Sequence, residues 1–199
     1  MEVTFWQRHP FLKDVFNIGL FVVCVVVGTL SINAFVFRSF NVIGPSMEPT
    51  MYTNDRLIVN RLPVTWSNLQ NRSYIPERGQ IIVFKNPRYN IGSADEYIVK
   101  RTIAFAGERV VLKKGQYTIY NSERPDGFNP DESSSYKISS VTSGEVDMIV
   151  PKDEVFVSGD HRADNYSLDS RNGLGTIPYY DIVGPVSLRF YPFDKIRDF

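Results

Sequence analysis

Two residues in this sequence have types that together could break an amide bond. Ser46 lies in Ile43-Gly44-Pro45-Ser46-Met47-Glu48-Pro49-Thr50-Met51, and Lys100 in Tyr97-Ile98-Val99-Lys100-Arg101-Thr102-Ile103. A serine between a Gly-Pro pair and a second proline sits on stiffened, turn-prone backbone, where a nucleophile can be held at a strand end. Most turn serines only make local hydrogen bonds, so this segment alone leaves a structural serine open. Lys100 interrupts an apolar, β-branched run, and in a strand it would share a face with Ile98 and Thr102. A buried ammonium is costly unless paired, and burial lowers a lysine pKa toward the neutral amine. A neutral amine can take a hydroxyl proton. A lysine snorkelling from a sheet edge is the alternative that this segment leaves open.

A third stretch, Ser158-Gly159-Asp160-His161-Arg162-Ala163-Asp164-Asn165-Tyr166-Ser167-Leu168-Asp169-Ser170-Arg171, packs Asp, Asn and Ser around a glycine and reads as a turn-rich loop. Its carboxylates and guanidiniums can lock it through bidentate pairs. An ordered hydroxyl such as Ser167 could orient a lysine amine. The calcium-loop pattern fails at Arg162 and Asn165. One cysteine, Cys24, excludes an intrachain disulfide and a multi-cysteine zinc site, and two histidines leave little for a histidine-rich centre. Neither metal nor cofactor is expected.

The elements that must position these residues fall into two textures. Residues 15–37 carry no charge, between Asp14 and Arg38. As a helix they span roughly 34 Å, enough for a hydrocarbon core of about 30 Å. A cleaved signal peptide would have a shorter apolar region and a small-x-small site, whereas Ala34 is followed by Phe35, Val36 and Phe37. An uncleaved transmembrane anchor is expected. Arg8 and Lys13 precede it, while Arg38 is followed by no Lys or Arg until Arg56, so residues 1–14 are expected as a short cytoplasmic amino terminus. Residues 38–199 would then be extracytoplasmic, in a single-pass protein of the plasma membrane.

Past the anchor, short stretches rich in Val, Ile, Tyr and Phe recur at 56–60, 81–84, 97–103, 109–112, 117–120, 146–150, 154–158 and 182–190. Turn residues separate them, and no sustained helical periodicity intervenes. The expectation is an all-β domain of antiparallel sheets. Residues 63–77 and 85–96 read as loops, and 121–145 as a solvated polar excursion. The 22 basic residues balance 22 acidic ones, so nothing argues for nucleic acid as a partner.

Taken together the motifs resemble those of the type I signal peptidases, the Ser-Lys leader peptidases. After the anchor come S-M-x-P-T-[LM] at Ser46 to Met51, R-G-[DQ]-I-[VI]-V-F at Arg78 to Phe84, a K-R segment ending G-[DE]-x-V from Lys100 to Val110, and G-D-[NH]-R…S-x-D-S-R at Gly159–Arg162 and Ser167–Arg171. The resemblance implies an antiparallel β-sheet catalytic domain that removes signal peptides from exported preproteins at the lipid bilayer. It implies Ser46 as nucleophile, its N–H as an oxyanion donor, Lys100 as general base and Ser167 as the lysine-orienting hydroxyl. Asp160, Asp169 and Arg171 would support the active-site loop. Small-residue subsites would be lined by Phe40, Val42, Met47, Met51, Ile82, Val83, Ile98 and Val99. Gly44 stands where some members place an oxyanion serine, Ile98 where many place tyrosine, and His161 where asparagine is common. A histidine base, as in related peptidases of the endoplasmic reticulum, is disfavoured because Lys100 is present and His161 falls in another block. Two other readings stay open: a specialised Ser-Lys peptidase such as a conjugative-transfer maturation enzyme, and an inactive membrane-tethered binding domain.

Overall fold

The computed structural model describes residues 9–90, 96–132, 136, 138–164 and 166–199. Part of the expected amino-terminal tail, part of the 85–96 loop, the serines at 133–135 and Asn165 lie outside the described residues. Helix α1 runs Pro10–Phe35, with no buried residue along it. It is apolar on all sides, so no face of it is designed to meet this domain. At 1.5 Å per residue it is about 39 Å long, more than a bilayer core of about 30 Å. It begins at Pro10 rather than at 15, because proline lacks only an N–H that the first turn does not use. It ends at Phe35, since Phe37 already opens the first strand.

Among the described residues eleven strands follow: β1 Phe37–Asn41, β2 Arg56–Asn60, β3 Ile81–Lys85, β4 Tyr97–Phe105, β5 Arg109–Lys113, β6 Gln116–Tyr120, β7 Val146–Ile149, β8 Glu154–Ser158, β9 Ile177–Pro178, β10 Ile182–Tyr191 and β11 Arg197–Asp198. Each of the eight expected stretches forms a strand, because alternation with β-branched residues suits a half-buried pleated surface. Strands β1, β9 and β11 were not anticipated: β9 and β11 have two residues each, and β1 abuts an apolar run that masks its alternation. All pairings are antiparallel. The larger sheet has the order β1-β2-β10-β3-β4-β8-β9, with β11 on β10, and a second sheet is ordered β6-β5-β7. Strand β10 pairs β3 through Ile182–Pro185 and β2 from Val186 onward, with register shifts in both pairings that bend the sheet.

A short helix α2, Leu62–Leu69, corrects the expectation of a loop over 63–77. Eight residues are too few to display helical periodicity. Pro63 sits in its first turn, and Val64 is its one buried residue. Three apolar clusters form the core. One gathers Val64, Ile82, Phe84, Ile98, Val155, Val157 and Ile177. Another holds Val42, Met47, Met51, Val59, Ile81 and Val83. The third, under the small sheet, includes Ile103, Leu112, Tyr117, Ile119 and Phe156.

Candidate active site

The Ser46 segment leaves β1 and folds into a tight turn. Gly44 takes a positive φ of 87°, a conformation that costs glycine nothing. Glu48 N donates to Pro45 O at 3.0 Å, and Thr50 N and Met51 N donate to Met47 O at 2.9 and 3.0 Å. Met47 and Met51 are completely buried and pin the turn to the core. Lys100 lies in β4 opposite Ile82 of β3, and its residue exposure is 3%. The two segments, 54 residues apart in sequence, converge so that Lys100 Nζ lies 2.7 Å from Ser46 Oγ. The same nitrogen donates to Val99 O at 2.8 Å. Among the described residues the Ser46 N–H has no hydrogen-bond partner, so it is available to a ligand oxygen.

The pair opens into a cleft of about 210 Å³ lined by Asn41 to Ser46, Tyr97 to Lys100, Tyr166 and Leu168. Strand β4 pairs β3 along Tyr97–Arg101 but meets β8 only from Arg101 onward, so Tyr97–Lys100 keep one open edge. A larger depression of about 480 Å³, lined by Thr50, Arg78, Arg101, Tyr136 and Arg197 among others, lies away from the dyad and contains no nucleophile beside a base.

Of the eight residues expected to line subsites, Val42, Ile98 and Val99 border this cleft. Met47, Met51, Ile82 and Val83 do not. They are 0–2% exposed and belong to the core, Ile82 to one apolar cluster and Met47, Met51 and Val83 to another, where they bury the turn and the sheet. Phe40 is half-buried against Tyr97, ring centroids 5.2 Å apart, beside the cleft rather than in its lining. Tyr166 and Leu168 line the cleft without having been anticipated, since nothing in a polar loop marks which aromatic turns inward.

The 158–171 loop holds this geometry through buried ion pairs. Asp160 accepts from Arg101 Nε at 2.7 Å and Nη2 at 2.5 Å, and from Thr50 Oγ1 at 2.5 Å. It thereby joins the base strand to the nucleophile turn. Asp169 accepts from Gly159 N at 2.9 Å and from Arg171 Nη2 at 2.9 Å, with both side chains fully buried. Burial alone would raise its pKa. The Arg171 guanidinium, by hydrogen bond and charge, outweighs that and holds the carboxyl below the usual aspartate range. Arg162, also fully buried, donates from Nε to Gly159 O at 2.8 Å and forks onto Asp131 at 2.5 and 2.8 Å. Asp131 belongs to the excursion read from sequence as solvated, so that reading is corrected: the segment supplies the counter-charge for a buried arginine. Burial works against the Arg162 charge, and Asp131 more than offsets it, raising the guanidinium further.

Gly159 is required by close approach. A Cβ there would fall 2.3 Å from Ser46 O and 2.3 Å from Ser167 Oγ. Ser167 is fully buried, and its hydroxyl makes no well-formed hydrogen bond, although it lies near enough to Asp169 to favour the carboxylate. His161 is held at the nucleophile backbone, its N–H donating to Ser46 O at 3.2 Å and its Nδ1 lying 3.2 Å from Pro45 O. Its ring stacks on Tyr166 at 4.7 Å.

The sequence from residue 14 to 191 matches the family model for signal peptidase, peptidase S26. The chain is 33% identical over 181 residues to signal peptidase I P of Bacillus subtilis subsp. natto, covering 90% of each. It is 29% identical over 187 residues to signal peptidase I U of Bacillus subtilis strain 168, covering 94% of this chain and 91% of the relative. It is also 30% identical over 186 residues to an inactive signal peptidase IA of Staphylococcus aureus strain N315, covering 92% of this chain and 96% of that one.

Proposed function

We propose, for a chain that belongs to the signal peptidases of peptidase family S26, a membrane-bound serine endopeptidase activity that removes signal peptides from exported preproteins. In it Ser46 is the nucleophile and Lys100 the general base. The observation that carries this reading is the 2.7 Å approach of Lys100 Nζ to Ser46 Oγ at a lysine only 3% exposed.

Desolvation disfavours the ammonium. A neutral amine has two N–H groups and one lone pair. One N–H satisfies Val99 O, and once Nζ is neutral its 2.7 Å contact with Ser46 can run from the Oγ–H to the nitrogen lone pair. As Oγ attacks the scissile carbonyl carbon, its proton passes to Nζ and the carbonyl oxygen becomes an oxyanion facing the Ser46 N–H. Protonated Lys100 then gives that proton to the leaving amine, and the mature chain departs. Water enters, Lys100 takes a proton from it, and the ester to Ser46 is hydrolysed with Oγ reprotonated. Val99 O holds Nζ in this structure, and Ser167, buried beside Gly159 and the Ser46 carbonyl, is assigned the lysine-orienting role on the family resemblance.

An extended substrate fits the open edge of Tyr97–Lys100 facing Asn41–Gly44, with alternate side chains entering the cleft. A cleft of about 210 Å³ favours small residues there. Helix α1 is the anchor, and the catalytic domain lies on the extracytoplasmic side. The inactive relative shows that this scaffold can persist without chemistry. The approach of Ser46 to Lys100 supports activity in this chain.

The test is cleavage of a model preprotein by the full-length protein in vesicles, with the new amino terminus sequenced. Wild type should cut at one bond after a small residue, and Ser46→Ala should not cut. Cleavage that survives in Ser46→Ala, or no cleavage of any preprotein in a panel, contradicts the assignment.

A further inference from the structure

Helix α2 presents an apolar face that the domain does not cover. Leu62, Trp66 and Leu69 follow at the i, i+4, i+7 spacing of one helical face and are 48%, 63% and 75% exposed. Ile75, just beyond, is 60% exposed. The opposite side, through Val64, is sunk into the core. Four large apolar side chains in one short stretch form a patch, not scattered exposure.

The position of that face is fixed by hydrogen bonds to the end of α1. Arg61 N donates to Val36 O at 2.8 Å, Thr65 Oγ1 donates to Phe35 O at 2.8 Å, and Arg61 Nη1 donates to Asn33 O at 3.3 Å. Thus the first turns of α2 are tied to the last turn of a helix whose length exceeds a hydrocarbon core. Wherever α1 leaves the bilayer, α2 is beside it. Two arginines occupy the same junction. Arg61 Nε is buried without a partner. Burial first, and the nearby charge of Arg38 second, hold the Arg61 guanidinium below its ordinary value. Arg38 donates from Nη1 to Tyr97 Oη at 3.2 Å and lies over the Phe40 and Tyr97 rings, and Arg61 Nη1 is taken by Asn33 O, but each guanidinium keeps further N–H groups, and two like charges side by side favour an anion on them.

We propose that α2 is an interfacial helix: its Leu62–Trp66–Leu69 face seats in the boundary between headgroups and acyl chains, and Arg61 and Arg38 take the phosphate of an anionic lipid. Tryptophan is suited to that depth, where an apolar ring meets water at one edge. Two attachments, α1 and α2, then fix the tilt of the catalytic domain relative to the membrane as well as its distance from it. The proposal rests on the reading of α1 as a membrane anchor.

The test uses the full chain with Trp6→Phe, leaving Trp66 as the one tryptophan, reconstituted in phosphatidylcholine vesicles with or without phosphatidylglycerol. Trp66 emission should be blue-shifted and quenched by lipids brominated near the top of the acyl chain, and protected from aqueous iodide. Leu62→Ser with Leu69→Ser should reverse both effects while cleavage of a short soluble peptide is unchanged. Phosphatidylglycerol should deepen the quenching, and Arg61→Gln should remove that increment. Water-exposed Trp66 in a protein that still floats with the vesicles overturns this proposal and leaves the anchor reading intact. A protein that does not float overturns both. Trp66 shielded from iodide and from lipid-borne quenchers alike shows that a second protein copy covers the face, and also overturns the proposal. Equal quenching with and without phosphatidylglycerol overturns the anionic-lipid part.

Discussion

At the scale of single residues, the proposed chemistry depends on a proton moving over the 2.7 Å between Ser46 and Lys100. Ser46→Ala and Lys100→Ala should each lower preprotein cleavage by roughly 10⁴-fold or more, as removal of one member of a catalytic unit does. Lys100→Arg should not rescue, because guanidinium keeps its proton. Initial-rate assays on purified variants check all three. Gly159→Ala should also be severely impaired. Its methyl group would collide with Ser46 O, so either the nucleophile turn or the loop must move. A one-ångström displacement there is enough to cost about 10²-fold, and kcat measured on a folded, circular-dichroism-verified variant tests it. That Ser46 and Lys100 come together was legible from residue type and motif order. The lining of the cleft was less so. Sequence distinguishes apolar from polar, but Met47, Met51, Ile82 and Val83 are all apolar and only packing decides which face solvent. Tyr166 was missed for the complementary reason, as an aromatic in a loop has no periodicity to fix its direction.

At the scale of elements, the strands were readable because each alternates over a sheet with one dry face. Helix α2 escaped for its shortness, and the 121–145 excursion was misread because composition does not show that Asp131 reaches Arg162, 31 residues away. Arg162→Ala would remove packing as well as charge, so Asp131→Asn is the cleaner probe. It leaves a buried guanidinium without its counter-charge and should destabilise the domain by about 3 kcal/mol or more in urea titration. The Asp169–Arg171 pair makes a pH prediction. The folded aspartate titrates below its ordinary value, so the pair contributes stability at neutral pH. That contribution stays whole above the unfolded carboxylate value and is lost as pH falls through the lower, folded one. Asp169→Asn should therefore unfold more easily than wild type at pH 7. The gap should narrow below about pH 4, the range in which an unfolded aspartate takes its proton. Melting temperatures across pH measure this directly.

For the whole molecule, α1 contributes no buried surface to the domain and is tied to it through a few hydrogen bonds at Asn33, Phe35 and Val36. Removal of residues 1–35 should leave a folded domain that still cleaves short peptides. It should process membrane-engaged preproteins more slowly, since the proposed anchor would confine enzyme and substrate to one surface. Three tiers of organisation thus serve one contact: core clusters hold the sheet, the sheet and its charged loop hold the turn, and the turn holds Ser46 against Lys100. The most direct measurement of that contact is the pH dependence of Ser46 acylation by a serine-reactive penem in the intact protein. Acylation should fall toward acid as the base takes up a proton, and Lys100→Ala should abolish that dependence together with most of the rate. Acylation that is flat with pH, or that proceeds equally well in Lys100→Ala, would contradict the account.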